Sequence, residues 1–372
     1  MTVFAKIDMN EATRLTREGR LNEAMAVLRG EAVASPRPSA TSDGERLEPA
    51  APFLDMVPPS LETGGAWSSP RTEPAARSKR TGSAAAPAGA AFEEHTYSND
   101  AGSRAYKLYV PSGSDGRPLP LVVMLHGCTQ SPDDFAAGTR MNDLAEEQSF
   151  LVAYPAQPQS ANMSKCWNWY NAGDQQRDRG EPSLIAGITR RIMSDFPVDA
   201  GRVYIAGLSA GGAAAAILGS TYPDLYSAIG VHSGLACGAA LDMTSAFTAM
   251  RQGAPAEGKL NPTAALIPTI VFHGDRDATV SPVNGDQVIA QSKAAAKLRM
   301  TVSRGEAPGG IRFTRTVQTD EQGHPVLEHW VLHGVGHAWS GGSTAGSYTE
   351  PRGPDATREM MRFFLDQPVV SR

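Results

Sequence analysis

Apolar and polar positions along the 372-residue chain change rhythm several times, and each change marks an element. Residues 8–29 set Ala12, Leu15, Leu21, Ala24, Met25 and Leu28 between charges, the spacing of a short amphipathic helix or of two divided at Gly19. From about Ser35 to Ala91, Pro, Ala, Ser and Gly with scattered charge replace that pattern, a composition that buries too little apolar surface to order itself. The expected organisation is a helical segment over 1–34, a disordered linker over 35–91 and one globular domain over 92–372.

Within the globular part, Thr96–Ser98 and Ser103–Val110 read as strands around the turn Asn99-Asp100-Ala101-Gly102. Leu119–Leu125 is a continuous apolar run, the mark of a strand buried on both faces. Phe150–Tyr154, Arg202–Ala206, Ser227–His232 and Thr269–Phe272 are further buried strands. Helical spacing covers Asp133–Gln148, Pro182–Phe196, the small-residue run to Leu218, Val283–Leu298 and Asp355–Leu365. Arg312–Gln318 and Val326–Leu332 flank Asp320-Glu321-Gln322-Gly323 as an antiparallel hairpin. This alternation predicts an α/β domain with a mostly parallel sheet and helices on both faces. Reactive residues are then expected at the carboxyl ends of the strands.

Several chemically capable residues fall there. Gly207-Leu208-Ser209-Ala210-Gly211 follows a buried strand and opens a helix, so G-x-S-x-G has the context of a nucleophile elbow with Ser209 projecting from a strained turn. A serine hydroxyl needs a base, and the base an orienting carboxylate. The order Ser, Asp, His expected of α/β-hydrolases is available. His337, between glycines on a loop after the last strand, is the favoured base over His333. Asp277 is favoured over Asp275 as the acid, with Val280 anchoring its loop and Asp275 capping the turn. The amides of Ala210 and Cys128 are the candidate oxyanion donors, so Cys128 acts through its backbone and not its sulfur.

Composition narrows the field. A hydrophobic fraction of 41% fills a real core, and a net charge of −5 offers no basic field for nucleic acid or anionic membrane. No apolar run approaches the roughly 18 residues of a membrane span. Three cysteines, Cys128, Cys166 and Cys237, are too few for a disulfide scaffold and lack metal-ligand spacing. A reduced state is expected, with at most one bridge. Met1-Thr2-Val3-Phe4-Ala5-Lys6 lacks the basic-then-apolar pattern of a secretory signal, so the expected location is the cytoplasm.

Leu-Pro-Leu-Val-Val-Met-Leu-His-Gly-Cys-Thr-Gln, Cys-Trp-Asn-Trp-Tyr, Gly-Leu-Ser-Ala-Gly-Gly, His-Gly-Asp-Arg-Asp and Gly-His-Ala-Trp-Ser-Gly-Gly together resemble the poly(3-hydroxybutyrate) depolymerases and related feruloyl and acetylxylan esterases, over roughly residues 95–366. The resemblance implies an α/β-hydrolase fold and a serine esterase that needs no metal or organic cofactor. It also implies Ser209, Asp277 and His337 as nucleophile, acid and base, with an oxyanion amide at Cys128. Its substrate would be a small, oligomeric or polymeric ester of short 3-hydroxyacids, with a feruloyl or acetylxylan ester, or a catalytically dead binding protein, as alternatives. Secreted members of that family make the extracellular space the alternative location. Trp167, Trp169, Tyr170 and Trp339 are candidates for an apolar acyl-binding groove. The oligomeric state is not legible from the residues.

Overall fold

The computed structural model describes residues 87–255, 267–293 and 297–369. The expected 1–34 helix lies outside these residues, as does the 35–91 linker up to residue 86.

The apolar runs become the middle of a ten-stranded sheet. Its strands are β1 (Ala91–Asn99), β2 (Gly102–Val110), β3 (Leu119–Leu125), β4 (Leu151–Pro155), β5 (Val198–Leu208), β6 (Ala228–His232), β7 (Thr269–Gly274), β8 (Arg299–Glu306), β9 (Arg312–Thr319) and β10 (Pro325–Leu332). Their spatial order is β1-β2-β4-β3-β5-β6-β7-β10-β9-β8. From β4 to β10 every neighbour is parallel, while β1–β2 and β9–β8 add antiparallel margins at the two ends.

The helices are α1 (Pro132–Thr139), α2 (Met141–Gln148), α3 (Gly180–Asp195), α4 (Ala210–Thr221), α5 (Met243–Gln252), α6 (Val283–Lys293) and α7 (Ala356–Leu365). Side-chain alternation sorts the core into two layers. Leu121, Val123, Leu125, Val203 and Ile205 pack with Ile185, Ile188, Ala213 and Ile217 from α3 and α4. Val122, Met124, Tyr204 and Ala206 pack on the other face with Phe135, Leu144, Met360 and Phe364 from α1, α2 and α7. A parallel strand buried on both faces needs apolar residues at every position, which is why β3, β4, β6 and β7 read as unbroken runs. This is the α/β-hydrolase arrangement.

Several elements differ from the sequence expectation; the helix expected over Val283–Leu298, for one, covers Val283–Lys293 and does not reach Leu298. The helix expected over 133–148 breaks at Arg140, which takes a left-handed φ of 56°. The carbonyls of Gly138 and Thr139 accept from Ser343 N and Thr357 Oγ1, so tertiary partners replace the next helical amides. Helix α5 was not expected, although its Asp242–Ser245 capping box is visible in the sequence. Strand β8 was not expected either: it is an edge strand, exposed at nearly every position, and its only apolar side chains, Met300 and Val302, are exposed too.

Candidate active site

Strand β5 runs directly into α4 through Ser209, whose φ of 58° and ψ of −120° are rarely adopted by a residue with a side chain. The glycines make the turn possible. A Cβ on Gly207 would run into the backbone of Gly211, and one on Gly211 would run into the carbonyl of Leu125. Ser209 N donates to His232 O on β6 at 2.9 Å, and Ser209 O accepts from Ala213 N at 2.9 Å. Ala210 is the first residue of α4, so its amide is among those that no helical carbonyl reaches.

The ends of β7 and β10 carry two Asp–His couples side by side. Asp277 Oδ2 accepts from His337 Nδ1 at 2.7 Å, with the two side chains 0% and 3% exposed. Asp275 Oδ2 accepts from His333 Nδ1 at 2.9 Å, with the side chains 36% and 37% exposed. Asp275 Oδ1 also takes Gly334 N at 2.7 Å, so this couple closes a turn at the surface.

Asp277 is held from several sides. Its Oδ1 accepts from Thr279 N and Val280 N at 2.9 and 2.8 Å, and Val280 is buried. His273 Nε2 lies 3.4 Å from Asp277 Oδ2 and 2.9 Å from Val280 O. Burial acts to raise the Asp277 carboxyl pKa, but His337 beside it and the hydrogen bonds from His273 and His337 outweigh that and hold it far below the usual carboxylate range.

The loop after β3 lies against the elbow: a Cβ on Gly127 would sit 3.6 Å from that of Ser209. Gln130 Oε1 accepts from Gly127 N at 2.8 Å, and Gln130 Nε2 donates to Asp134 Oδ2 at 2.9 Å, which fixes the loop to α1. Cys128 is disulfide-bonded to Cys166, which corrects the expected reduced state; Cys237 is free. Strands β3 and β4 are sheet neighbours, so the loops leaving their carboxyl ends meet. The cysteine spacing alone does not reveal that meeting.

The aromatic residues also depart from expectation. Trp167 is fully buried and donates through Nε1 to His126 O at 3.0 Å. Trp339 is 1% exposed, stacked on His232 at 5.1 Å and edge-on to Phe135 at 5.5 Å, with Nε1 donating to Thr357 Oγ1. Neither has a free face to line a groove, because packing under the loops consumes both. Trp169 is buried edge-on against Tyr170, and Tyr170 alone of the four is half-buried.

His232, the last residue of β6, links two parts of the site. Its carbonyl takes Ser209 N and its Nε2 accepts from Ser340 N at 3.0 Å, so it ties the elbow to the loop carrying His337. A main-chain N–H must donate, which leaves the proton on Nδ1, facing Ser233 Oγ at 3.1 Å. Burial, and then His273 and His337 nearby, push its pKa well below the ordinary histidine value. Among the described residues, no group of three or more His, Cys, Asp or Glu is placed to hold a metal ion.

The model of the esterase family of PHB depolymerases matches residues 104–306. The chain belongs to that family. It is 33% identical over 239 residues to poly(3-hydroxyalkanoate) depolymerase C of Paucimonas lemoignei, covering 62% of this chain and 57% of that one. It is 28% identical over 249 residues to feruloyl esterase B of Thermothelomyces thermophilus, covering 62% of this chain and 82% of that one. Among solved structures, acetyl xylan esterase from Aspergillus awamori superposes with a TM-score of 0.57 at 20% identity, covering 74% of this chain and 99% of that one, a likeness of fold. The match to the depolymerase thus spans little more than half of that relative's length.

Proposed function

We propose that the chain is a serine esterase that cleaves esters of short 3-hydroxyacids through an acyl-enzyme. In this reading Ser209 Oγ attacks the ester carbonyl while His337 Nε2 takes its proton. Asp277 holds the imidazole through Nδ1 and stabilises the cation that forms. The amides of Cys128 and Ala210 receive the developing oxyanion. The carbonyl re-forms as the alcohol leaves with the proton from His337. Water then attacks the acyl-enzyme with His337 again as base, and Ser209 is released with the acid.

One observation carries the reading. The buried Asp277–His337 couple stands at the same sheet edge as a serine forced into a strained elbow, an arrangement that packing alone does not need. The depolymerase relative supports the 3-hydroxyacid substrate. The feruloyl esterase relative, covered over 82% of its length, supports a feruloyl ester as the second reading, and an acetylxylan esterase relative supports the acetylxylan form of it. A binding protein with a dead site is the third, and the intact set Ser209, Asp277 and His337 argues against it.

The catalytic domain is proposed to begin near residue 92, within a residue of the start of β1 at Ala91. The buried Cys128–Cys166 bond supports an oxidising compartment over the cytoplasm. Among the described residues no helix is long and apolar enough to cross a membrane.

Turnover of soluble hydroxybutyrate oligomers, methyl ferulate and acetylated xylan, each with Ser209→Ala as control, tests the reading. Preferred cleavage of the hydroxybutyrate oligomers is expected. Preferred release of ferulate or acetate would move the substrate to the second reading, and absence of any turnover would favour the third.

A further inference from the structure

Glu181, in the first turn of α3, is a buried carboxylate remote in sequence from every residue of the proposed chemistry. Its Oε2 accepts from Asn168 N at 2.7 Å. Its Oε1 accepts from Asn168 Nδ2 at 2.8 Å, from Gln157 Nε2 and from Arg104 Nη2 at 3.3 Å. Burying a carboxylate is costly unless it is paired and fully hydrogen-bonded, and the donors gathered on Glu181 tie it to the segments they come from.

What it holds is the segment from Gln157 to Tyr170, gripped near both ends. Gln157 N donates to His126 Nε2 at 3.1 Å, and Gln157 Nε2 also reaches Cys166 O at 2.9 Å. Between those ends, Ser164 O accepts from Thr129 N at 2.7 Å, Trp167 Nε1 donates to His126 O, and Cys166 is bonded to Cys128. His126, Cys128 and Thr129 are therefore each attached to a segment whose shape Glu181 sets.

We propose that Glu181 is a positioning residue for the oxyanion hole, acting through Asn168, Gln157 and the Cys166–Cys128 bond to place the Cys128 amide. The proposal rests on the esterase reading above. A donor aimed at an oxyanion contributes in proportion to how well it is fixed before the charge develops. A buttress of this kind therefore acts on the transition state more than on substrate binding.

Glu181→Gln is the test. Both carboxylate oxygens accept from N–H groups, so a glutamine sets its own N–H₂ against a donor in either rotamer. The expected result is a folded protein whose kcat falls roughly ten- to hundredfold, a part of the cost of losing one oxyanion donor, with KM within about threefold. Inactivation by an organophosphonate, which builds charge on the same oxygen, should slow in parallel. Combined with Cys166→Ser, the loss should be smaller than the product of the two single losses, because both act through one segment.

Glu328→Gln is the control. Glu328 is buried even more deeply, on β10, held by Arg315, Arg362 and Trp330, and its variant should lose stability while the folded fraction keeps its kcat. Unchanged kcat in folded Glu181→Gln, or an equal loss in Glu328→Gln, would overturn the proposal. If Glu181→Gln does not fold, Asn168→Ala removes one bond to the carboxylate, and unchanged kcat there overturns it equally. A wild-type protein with no turnover and no labelling contradicts the esterase reading instead. The buttress is then judged by amide exchange at residues 126–130, which Glu181→Gln should accelerate and which would otherwise overturn it.

Discussion

Asp277 and His337 share a 2.7 Å hydrogen bond with neither side chain open to solvent, whereas Asp275 and His333, on the same two loops, share one of 2.9 Å at the surface. The two couples have the same chemistry and different surroundings. An acid that orients a catalytic imidazole works best where water cannot compete for either partner.

This separates the two aspartates by mutation. Asp277→Asn is expected to lower kcat by about 10³–10⁴ while leaving the fold intact. Asp275→Asn is expected to change kcat by less than a few-fold and to cost some stability at the turn. The reverse ranking, read from steady-state kinetics on any cleaved ester, would move the role to Asp275 and His333.

A second expectation concerns acid. His126 accepts from Gln157 N through Nε2 and donates through Nδ1 to Gly127 O at 2.7 Å. Burial, against the opposing pull of the Gly127 carbonyl, lowers its pKa from 6.5 to about 4. The folded form then resists a proton that the unfolded chain accepts. Its contribution is complete above pH 6.5 and is lost as pH falls from there towards 4, on the order of 3 kcal/mol from this group. Denaturant unfolding between pH 7 and 4 checks it, and a flat profile across that window would contradict it.

The alternating layers of the core were readable because parallel strands covered on both faces must be apolar throughout, as Leu119–Leu125 is. The elbow was readable because Gly207 and Gly211 leave no room for a Cβ. Other features depended on what the chain meets only after folding. Arg140 breaks a helical pattern because Ser343 and Thr357 take the preceding carbonyls. Trp339 stands two residues from His337 in sequence yet is buried in the core, packed against His232 and Phe135. Cys128 and Cys166, 38 residues apart, meet because β3 and β4 are neighbours, a fact of sheet order and not of spacing.

That bond gives a third expectation. Closing a loop of 38 residues restricts the unfolded chain and is worth about 4 kcal/mol on a chain-entropy account. Cys166→Ser, or full reduction of the native protein, should lower the thermal midpoint by roughly 10 °C. The same change frees the loop carrying the Cys128 amide, so kcat should fall at temperatures where the protein is still folded. Calorimetry paired with initial rates checks both, and an unchanged midpoint with unchanged rates would contradict the role given to the bond.

A fourth concerns the domain boundary. β1 pairs with β2 along Ala91–Asn99 and its Tyr97 ring packs over Gly187 of α3, so the first strand belongs to the same folded sheet and helix core. A protein starting at residue 87 is expected to fold and keep its ester turnover. Loss of soluble expression or of activity in that shortened chain would contradict the boundary.

Ser209 is the proposed nucleophile, and covalent trapping tests that role most directly. Treating the full chain with a serine-directed organophosphonate and locating the adduct by peptide mass spectrometry should place one label on Ser209. Ser209→Ala should lose both the label and at least about 10⁴ in kcat. Stoichiometric labelling elsewhere, or full turnover by Ser209→Ala, would contradict the account.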